Sequence, residues 1–231
     1  MIQSRIAELL EPFLQTGAYL TPLAPTQLNH ISTYVDLLIR WNARVNLTAI
    51  RTPDEIVTRH FGESLFAARH LFPGNPANHP RPLSSAEAAR HPLLVDLGSG
   101  AGFPGLPIKI WSPQTAVTLI ESNHKKVAFL REVIRELTLM SIDVFPGRAE
   151  AFPAQAGTLT LRAVERFETA LPIAVSLLAP AATLALLISR TQIPQAQSLA
   201  PHLLWSTPIP IPQSTSRILL TAKTQPAEPE Q

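Results

Sequence analysis

Cysteine is absent from the 231 residues, which removes disulfides, thiolate zinc sites and thiol nucleophiles from consideration. Tyrosine occurs only as Tyr19 and Tyr34, both near the N-terminus, so no Tyr-x-x-x-Lys pair is evident. Glycine is scarce at 9 residues, whereas proline stands at 23, roughly twice its usual share. Charge is modest and nearly balanced, 19 Lys and Arg against 17 Asp and Glu. A net charge of +2 does not by itself call for a nucleic-acid partner. A hydrophobic content of 45% excludes a wholly disordered chain. The N-terminal MIQSRIAELLEPFL lacks the long apolar region of a signal peptide, and no internal repeat is evident.

The longest uncharged stretch, 169–189, has the length of a membrane span. Pro172 and Pro180 argue against that reading. Pro172 fits a first helical turn and Pro180 a helix end, predicting a buried helix, a turn at 180–182 and a buried strand over 183–188.

The first 72 residues read as a helical extension. Leu28, Ile31, Val35, Leu38 and Val45 recur at helical spacing over 26–45, with Thr26 as the expected N-cap. Thr52-Pro53-Asp54-Glu55 is a fuller start signal, with Thr52 capping, Pro53 at the first helical position and Glu55 closing a capping box. Ile56, Phe61, Leu65, Ala68 and Phe72 then mark one face. Residues 73–92 hold five prolines and read as a surface linker or insertion, with His79 and His91 solvated. From 93 to 221, strands expected at 93–97, 116–121, 141–145, 158–163 and 183–188 alternate with helices at 123–139 and 166–178. That alternation predicts an α/β domain with a parallel, doubly wound sheet. Pro208, Pro210 and Pro212 favour an extended segment, 216–221 a last strand, and 222–231 a disordered tail.

Four of the 9 glycines fall within eight residues, at Gly98, Gly100, Gly102 and Gly105. The string LLVDLGSGAGFPG runs strand, acid, glycine turn, helix, so the backbone can approach a ligand closely at a helix N-terminus. From Gly100 it spells the dinucleotide pattern G-x-G-x-x-G. From Asp96 it spells D-x-G-x-G-x-G, which resembles motif I of class I methyltransferases that bind S-adenosylmethionine. A strand ending at Leu97 puts the tight turn at Gly98 and favours the second register. Glu121 ends the next strand, where an acid can accept ribose hydroxyls in either reading. Arg162 ends the fourth strand, where a charge in an apolar run wants a partner or a ligand.

Three segments together, WNARVNLTAIRTPDEIVTRHFGESL, LLVDLGSGAGFPGLPIKI with VTLIESNHKKVAFLREV, and GRAEAF with TLRAVE, resemble the bacterial small-subunit ribosomal RNA guanine-N7 methyltransferases (RsmG, or GidB). The resemblance implies a class I methyltransferase fold, Rossmann-like with a mostly parallel sheet, behind an N-terminal helical extension. It implies methyl transfer from S-adenosyl-L-methionine to N7 of one guanine in 16S rRNA, the guanine-527 position. It implies a cytoplasmic, metal-free, membrane-free monomer working on 16S rRNA or a small-subunit precursor. Matching positions imply cofactor contacts from Gly98, Phe103, Ala149, Glu150 and Arg162. Asp96, Gly100 and Glu121 join them on the motif argument, and His60 and Ser64 border the substrate. Arg162 is the expected catalytic residue, acting through electrostatics or positioning without proton transfer. Glu63 stands where the family has Asp, Ala181-Ala182 where Gly-Gly is common, and Arg190 where a Lys often follows the fifth strand.

Other readings compete with this one: a small-molecule methyltransferase, a dinucleotide-binding oxidoreductase, and an idle RNA-binding module on the same fold. Lys109, Lys125, Lys126, Arg131 and Arg135 read either as a basic RNA-binding patch or as a weakly charged solvated face.

Overall fold

The computed structural model describes residues 1–16, 19–73, 93–164 and 166–226. The 73–92 linker, apart from Pro73, lies outside the described residues with His79 and His91, as does the end of the expected tail.

The extension comprises α1 (Gln3–Leu14), α2 (Pro25–Val45), α3 (Pro53–Glu55), a π-helical segment (Ile56–Gly62) and α4 (Glu63–Leu71). Thr26 is not the cap of α2. Pro25 takes the first helical position and Ala24 the cap, whose N–H donates to Gln27 Oε1 at 2.8 Å. Proline has the helical φ already set and no N–H to lose there, so it starts the helix one residue earlier. Asn46, at φ 43°, closes the helix in the left-handed region. Thr52 caps as expected, its Oγ1 accepting from Glu55 N, and Pro53 takes the first helical position, but the capping box does not close: Glu55 Oε2 accepts the Thr52 hydroxyl at 2.6 Å instead of its backbone N–H.

The strands of the main sheet are β1 (Leu94–Leu97), β2 (Val117–Ile120), β3 (Ile142–Phe145), β4 (Ala156–Arg162), β5 (Leu178–Ser189), β6 (Leu204–Trp205), β7 (Ile209–Pro210) and β8 (Arg217–Lys223). They lie in the order β3-β2-β1-β4-β5-β8-β6, with β7 also on β8. The first five are parallel, and β8 runs antiparallel to β5. The helices of this part are α5 (Gly105–Trp111), α6 (His124–Glu136), α7 (Phe167–Ser176) and α8 (Ile193–Leu199).

Both faces of the sheet are covered, as a parallel sheet requires. Leu94, Val117 and Leu119 pack with Ile31, Tyr34, Leu38 and Phe61 of the extension and with Phe129. Val95, Leu159 and Leu161 pack with Leu171 of α7 and Ala196 of α8. The extension thus shares one buried cluster with the sheet. Two buried hydrogen bonds tie them further, Trp111 Nε1 to Phe72 O at 3.0 Å and Gln27 Nε2 to Ile110 O at 2.9 Å.

Proline was misleading in the 169–189 stretch. Pro172 sits inside α7, beyond its first turn. The expected turn at 180–182 is an irregularity within β5, whose pairing with β4 steps from Ala156↔Leu178 to Thr158↔Thr183. Ala181 takes φ 57° there. Its N–H donates to Gln225 O, and Ala182 N to Thr224 Oγ1, so residues past β8 satisfy the irregular backbone. β8 accordingly runs two residues beyond the expected boundary at 221.

Candidate active site

The glycine turn leaves β1 where the register predicted. Gly98, Gly100 and Gly102 have φ of 70°, 58° and 90°, conformations that side chains with a Cβ resist. Gly98 and Ser99 both donate their N–H to Ile120 O at 3.0 Å. Gly105 is required by proximity instead: a Cβ there would lie 2.5 Å from Leu119 Cδ2 and 2.9 Å from Asp96 Cβ. Asp96 is buried, and both of its oxygens are held by the protein. Its Oδ2 accepts Gly105 N at 3.1 Å and its Oδ1 the Thr160 hydroxyl at 2.7 Å. Burial raises its carboxyl to about 6, while those hydrogen bonds pull it back down.

Beyond the carboxyl ends of β1 and β2 lies a cavity of about 380 Å³, floored by Gly98 and Glu121 and walled by Ala149, Glu150, Leu97, Ile120 and Ile173. Glu121 Oε2 accepts Gly100 N at 2.9 Å and Oε1 accepts Asn123 N at 2.7 Å. A carboxylate oxygen has a second lone pair, so each can still accept from a ligand. Ala149 and Glu150 open a 3₁₀ turn, where the first N–H groups have no partner inside the turn. Glu150 is exposed. Its own backbone N–H and Arg148 hold its carboxyl below the ordinary range.

A second cluster forms where the π segment meets the end of β4. Arg162 Nη2 donates to Arg59 O at 2.8 Å and pairs with Glu63 Oε2 at 3.0 Å. Arg217 of β8 brings its Nε within 2.9 Å of the same Glu63 oxygen. The side chains of Arg162 and Glu63 are 8% and 4% exposed, so this is a buried ion pair. Arg162 Nη1 lies 3.1 Å from His60 Nδ1. A guanidinium only donates, so Nδ1 must be the acceptor. Burial, then the charges of Arg162, Arg59 and Arg217, hold His60 down to about 3. The neutral ring therefore carries its proton on Nε2 and donates to Thr48 Oγ1 at 2.8 Å. Asn42 fixes Thr48 in turn, accepting from its N–H and donating to its carbonyl. His60 stacks on Phe103 with ring centroids 4.6 Å apart, and Phe103 stacks on Tyr34 at 5.3 Å.

Of the expected site residues, the cavity gathers Gly98, Glu121, Ala149 and Glu150. Gly100 and Asp96 shape the turn around it. Phe103, His60 and Arg162 form the neighbouring cluster. Ser64 is fully buried and donates to His60 O at 2.6 Å, back along its own helix. Lys109 does not belong to a basic face. It is buried, donates to Pro113 O and Thr115 O, and is brought down to about 8 by burial. Sequence reasoning missed Arg59, whose carbonyl accepts from Arg162, and Arg217, which reaches Glu63, because both contacts join residues distant along the chain. Among the described residues, no three His, Asp or Glu side chains are grouped to hold a metal ion, and no helix is long and apolar enough to cross a membrane.

A family model described as rRNA small subunit methyltransferase G (GidB) matches residues 27–199. A ribosomal RNA small subunit methyltransferase G from Xanthomonas oryzae pv. oryzae (strain MAFF 311018) is 37% identical over 181 residues, 78% of this chain and 75% of that protein. One from Xylella fastidiosa (strain 9a5c) is 35% identical over 209 residues, 88% of this chain and 90% of that protein. In fold, the chain is similar to the magnesium protoporphyrin IX methyltransferase of Synechocystis PCC 6803 solved with bound SAM. That match has a TM-score of 0.60 at 12% identity and covers 91% of this chain and all of that one. The architecture is that of a class I methyltransferase.

Proposed function

Because the chain belongs to the ribosomal RNA small subunit methyltransferase G family, we propose that it transfers the methyl group of S-adenosylmethionine to N7 of one guanine in 16S rRNA, the guanine-527 position. The observation that carries the cofactor half of this reading is the cavity beyond β1 and β2, with unused Glu121 lone pairs on its floor. Its size falls within the usual range for small-molecule sites. Apolar Leu97, Ile120 and Ile173 suit a purine, Glu121 suits ribose hydroxyls, and the Ala149 and Glu150 N–H groups suit the adenine edge. When bound, S-adenosylmethionine supplies an electrophilic methyl on a sulfonium whose departure leaves a neutral thioether.

The residues of the chain need not move a proton. Guanine N7 offers a lone pair and carries no hydrogen, so transfer calls for approach and alignment. The neighbouring cluster suits that task. The one lone pair of the His60 ring is already committed to Arg162, so the ring is not a base. It is a flat, neutral face held by Phe103, Thr48 and Arg162. Arg162 is a positioning residue, joining the π segment to β4 through three acceptors. Ser64 fixes the helix behind it.

The test is methyl transfer from labelled S-adenosylmethionine to small ribosomal subunits taken from a strain lacking the enzyme, with mass-spectrometric mapping of the modified base. One methyl at N7 of the guanine-527 position is expected. A methyl at another base or ring position would overturn the assignment.

A further inference from the structure

Two guanidinium groups, those of Arg162 and Arg217, share a single carboxylate, Glu63, while Arg59 gives its carbonyl to Arg162. Arg59 and Arg217 line a second cavity, of about 220 Å³, beyond the ends of β4 and β5. It lies against the first, because Val164 lines it while its Cγ1 would sit 3.4 Å from a Cβ on Gly98. Several donors in and beneath this second cavity lack acceptors among the described residues. Among the described residues, the Arg59 guanidinium has no ion-pair or hydrogen-bond partner. Arg217 Nε is close to Glu63 but makes no aligned hydrogen bond. Arg162 Nε, beneath them, is a buried donor with no hydrogen-bond partner among the described residues. Gln192 on the cavity wall spends its Oε1 on Ser189 N, leaving its amide N–H groups unpaired among the described residues. Buried donors are normally satisfied, and the single carboxylate of Glu63 can neutralise only one of the two guanidinium groups it meets, Arg162 and Arg217. Arg162 is itself held below its ordinary pKa, mostly by burial and partly by Arg217 and Arg59.

We propose that the cleft between Arg59 and Arg217 seats one backbone phosphate of the RNA substrate, beside the nucleotide being methylated. This rests on the rRNA reading above and adds to it the place where the strand is gripped. Planar guanidinium forks match phosphate oxygens in pairs. A phosphate here fixes the strand's register relative to the methyl donor without reading its sequence.

The experiment measures binding of a small-subunit rRNA fragment, as a function of salt, to wild type, Arg59→Gln and Arg217→Gln, with S-adenosylmethionine affinity measured separately without RNA. Arg59→Gln removes an exposed, unpartnered side chain, so it reports on the cleft even where Arg217→Gln disturbs folding. Loss of one phosphate contact lowers the slope of log K against log salt by about 0.7 to 0.9. The proposal expects that drop in each variant with cofactor affinity unchanged. An unchanged slope and RNA affinity in Arg59→Gln overturns it. So does a loss confined to S-adenosylmethionine affinity, which would assign the cleft to the cofactor's carboxylate. Failure of the rRNA reading is distinct, because wild type would then not methylate small subunits at all.

Discussion

Replacing Arg162 with Met tests the buried cluster directly. The substitution keeps the unbranched apolar stem and removes three donated hydrogen bonds, to His60 Nδ1, Arg59 O and Glu63 Oε2. Taking away one partner of a buried ion pair costs about 3–5 kcal/mol, because the other charge is left desolvated. Here Glu63 keeps the Arg217 Nε at 2.9 Å, so the lower end applies, about 3 kcal/mol. For a chain of this size each kcal/mol moves the midpoint by about 2–4 °C, giving a fall of roughly 6–12 °C. Scanning calorimetry at neutral pH on the cofactor-free protein reads it. Arg162→Lys should lie between wild type and Arg162→Met, since one ammonium cannot serve three acceptors arranged for a fork. A shift under about 2 °C for Arg162→Met would refute the account, showing that water already screens the pair. Methyl transfer measured well below each variant's midpoint should still fall for both, because the His60 face loses its anchor.

Glu121→Ala should weaken S-adenosylmethionine binding at least tenfold by calorimetry, on the scale of about 1.5–3 kcal/mol for hydrogen bonds to a charged group. It also frees the Gly100 and Asn123 N–H groups, and unchanged affinity would remove Glu121 from the site. Gly105→Ala should destabilise by about 1–3 kcal/mol in urea, since its Cβ meets Leu119 and Asp96. Gly100→Ala, whose Cβ would meet only Gly98 O at an ordinary 3.8 Å but which sits at φ 58°, should cost only the backbone strain of about 1–2 kcal/mol. His60 gives a pH test. Its folded pKa of about 3 lies below the ordinary 6.5, so the unfolded chain binds more protons between those values. Its contribution is complete above pH 6.5 and is lost as pH falls toward 3, by at most roughly 1.4 kcal/mol per pH unit. Asp96, raised from 3.8 to about 6, acts in the opposite sense over 3.8–6. The comparison is therefore urea midpoints of wild type against His60→Gln from pH 7 to 4. Parallel profiles would refute the assignment.

Local signals in the chain were legible wherever backbone chemistry decides the outcome. Thr52 through Glu55 specified a helix start, and the glycines after Leu97 specified a left-handed turn whose register placed it at Gly98. Glu121 was found because parallel strands end their acids at one edge of the sheet. What could not be read depends on residues distant along the chain. Lys109 looked like surface charge on a short helix, yet the carbonyls of Pro113 and Thr115 draw it inward. Thr26 competed with a proline one residue earlier and lost the cap. Pro180 signalled a turn, but Thr224 and Gln225 supply the partners that let β5 continue through it. Arg162 was recognised as a charge in need of a partner. That the partner is Glu63, shared with Arg217, follows from sheet order together with the docking of α4 against the sheet.

The cluster around Glu63 has a consequence for how the molecule comes into being. Its contributors are His60 and Glu63 early in the chain, Arg162 in the middle and Arg217 in the last strand. Chains emerge from the ribosome N-terminus first and fold in that order. The helices and the first strands can meet while synthesis continues, but β8 docks on β5 only after its own residues, Arg217–Lys223, are out. The second guanidinium on Glu63 therefore arrives last. Nascent chains lack part of that cluster until Arg217 has emerged.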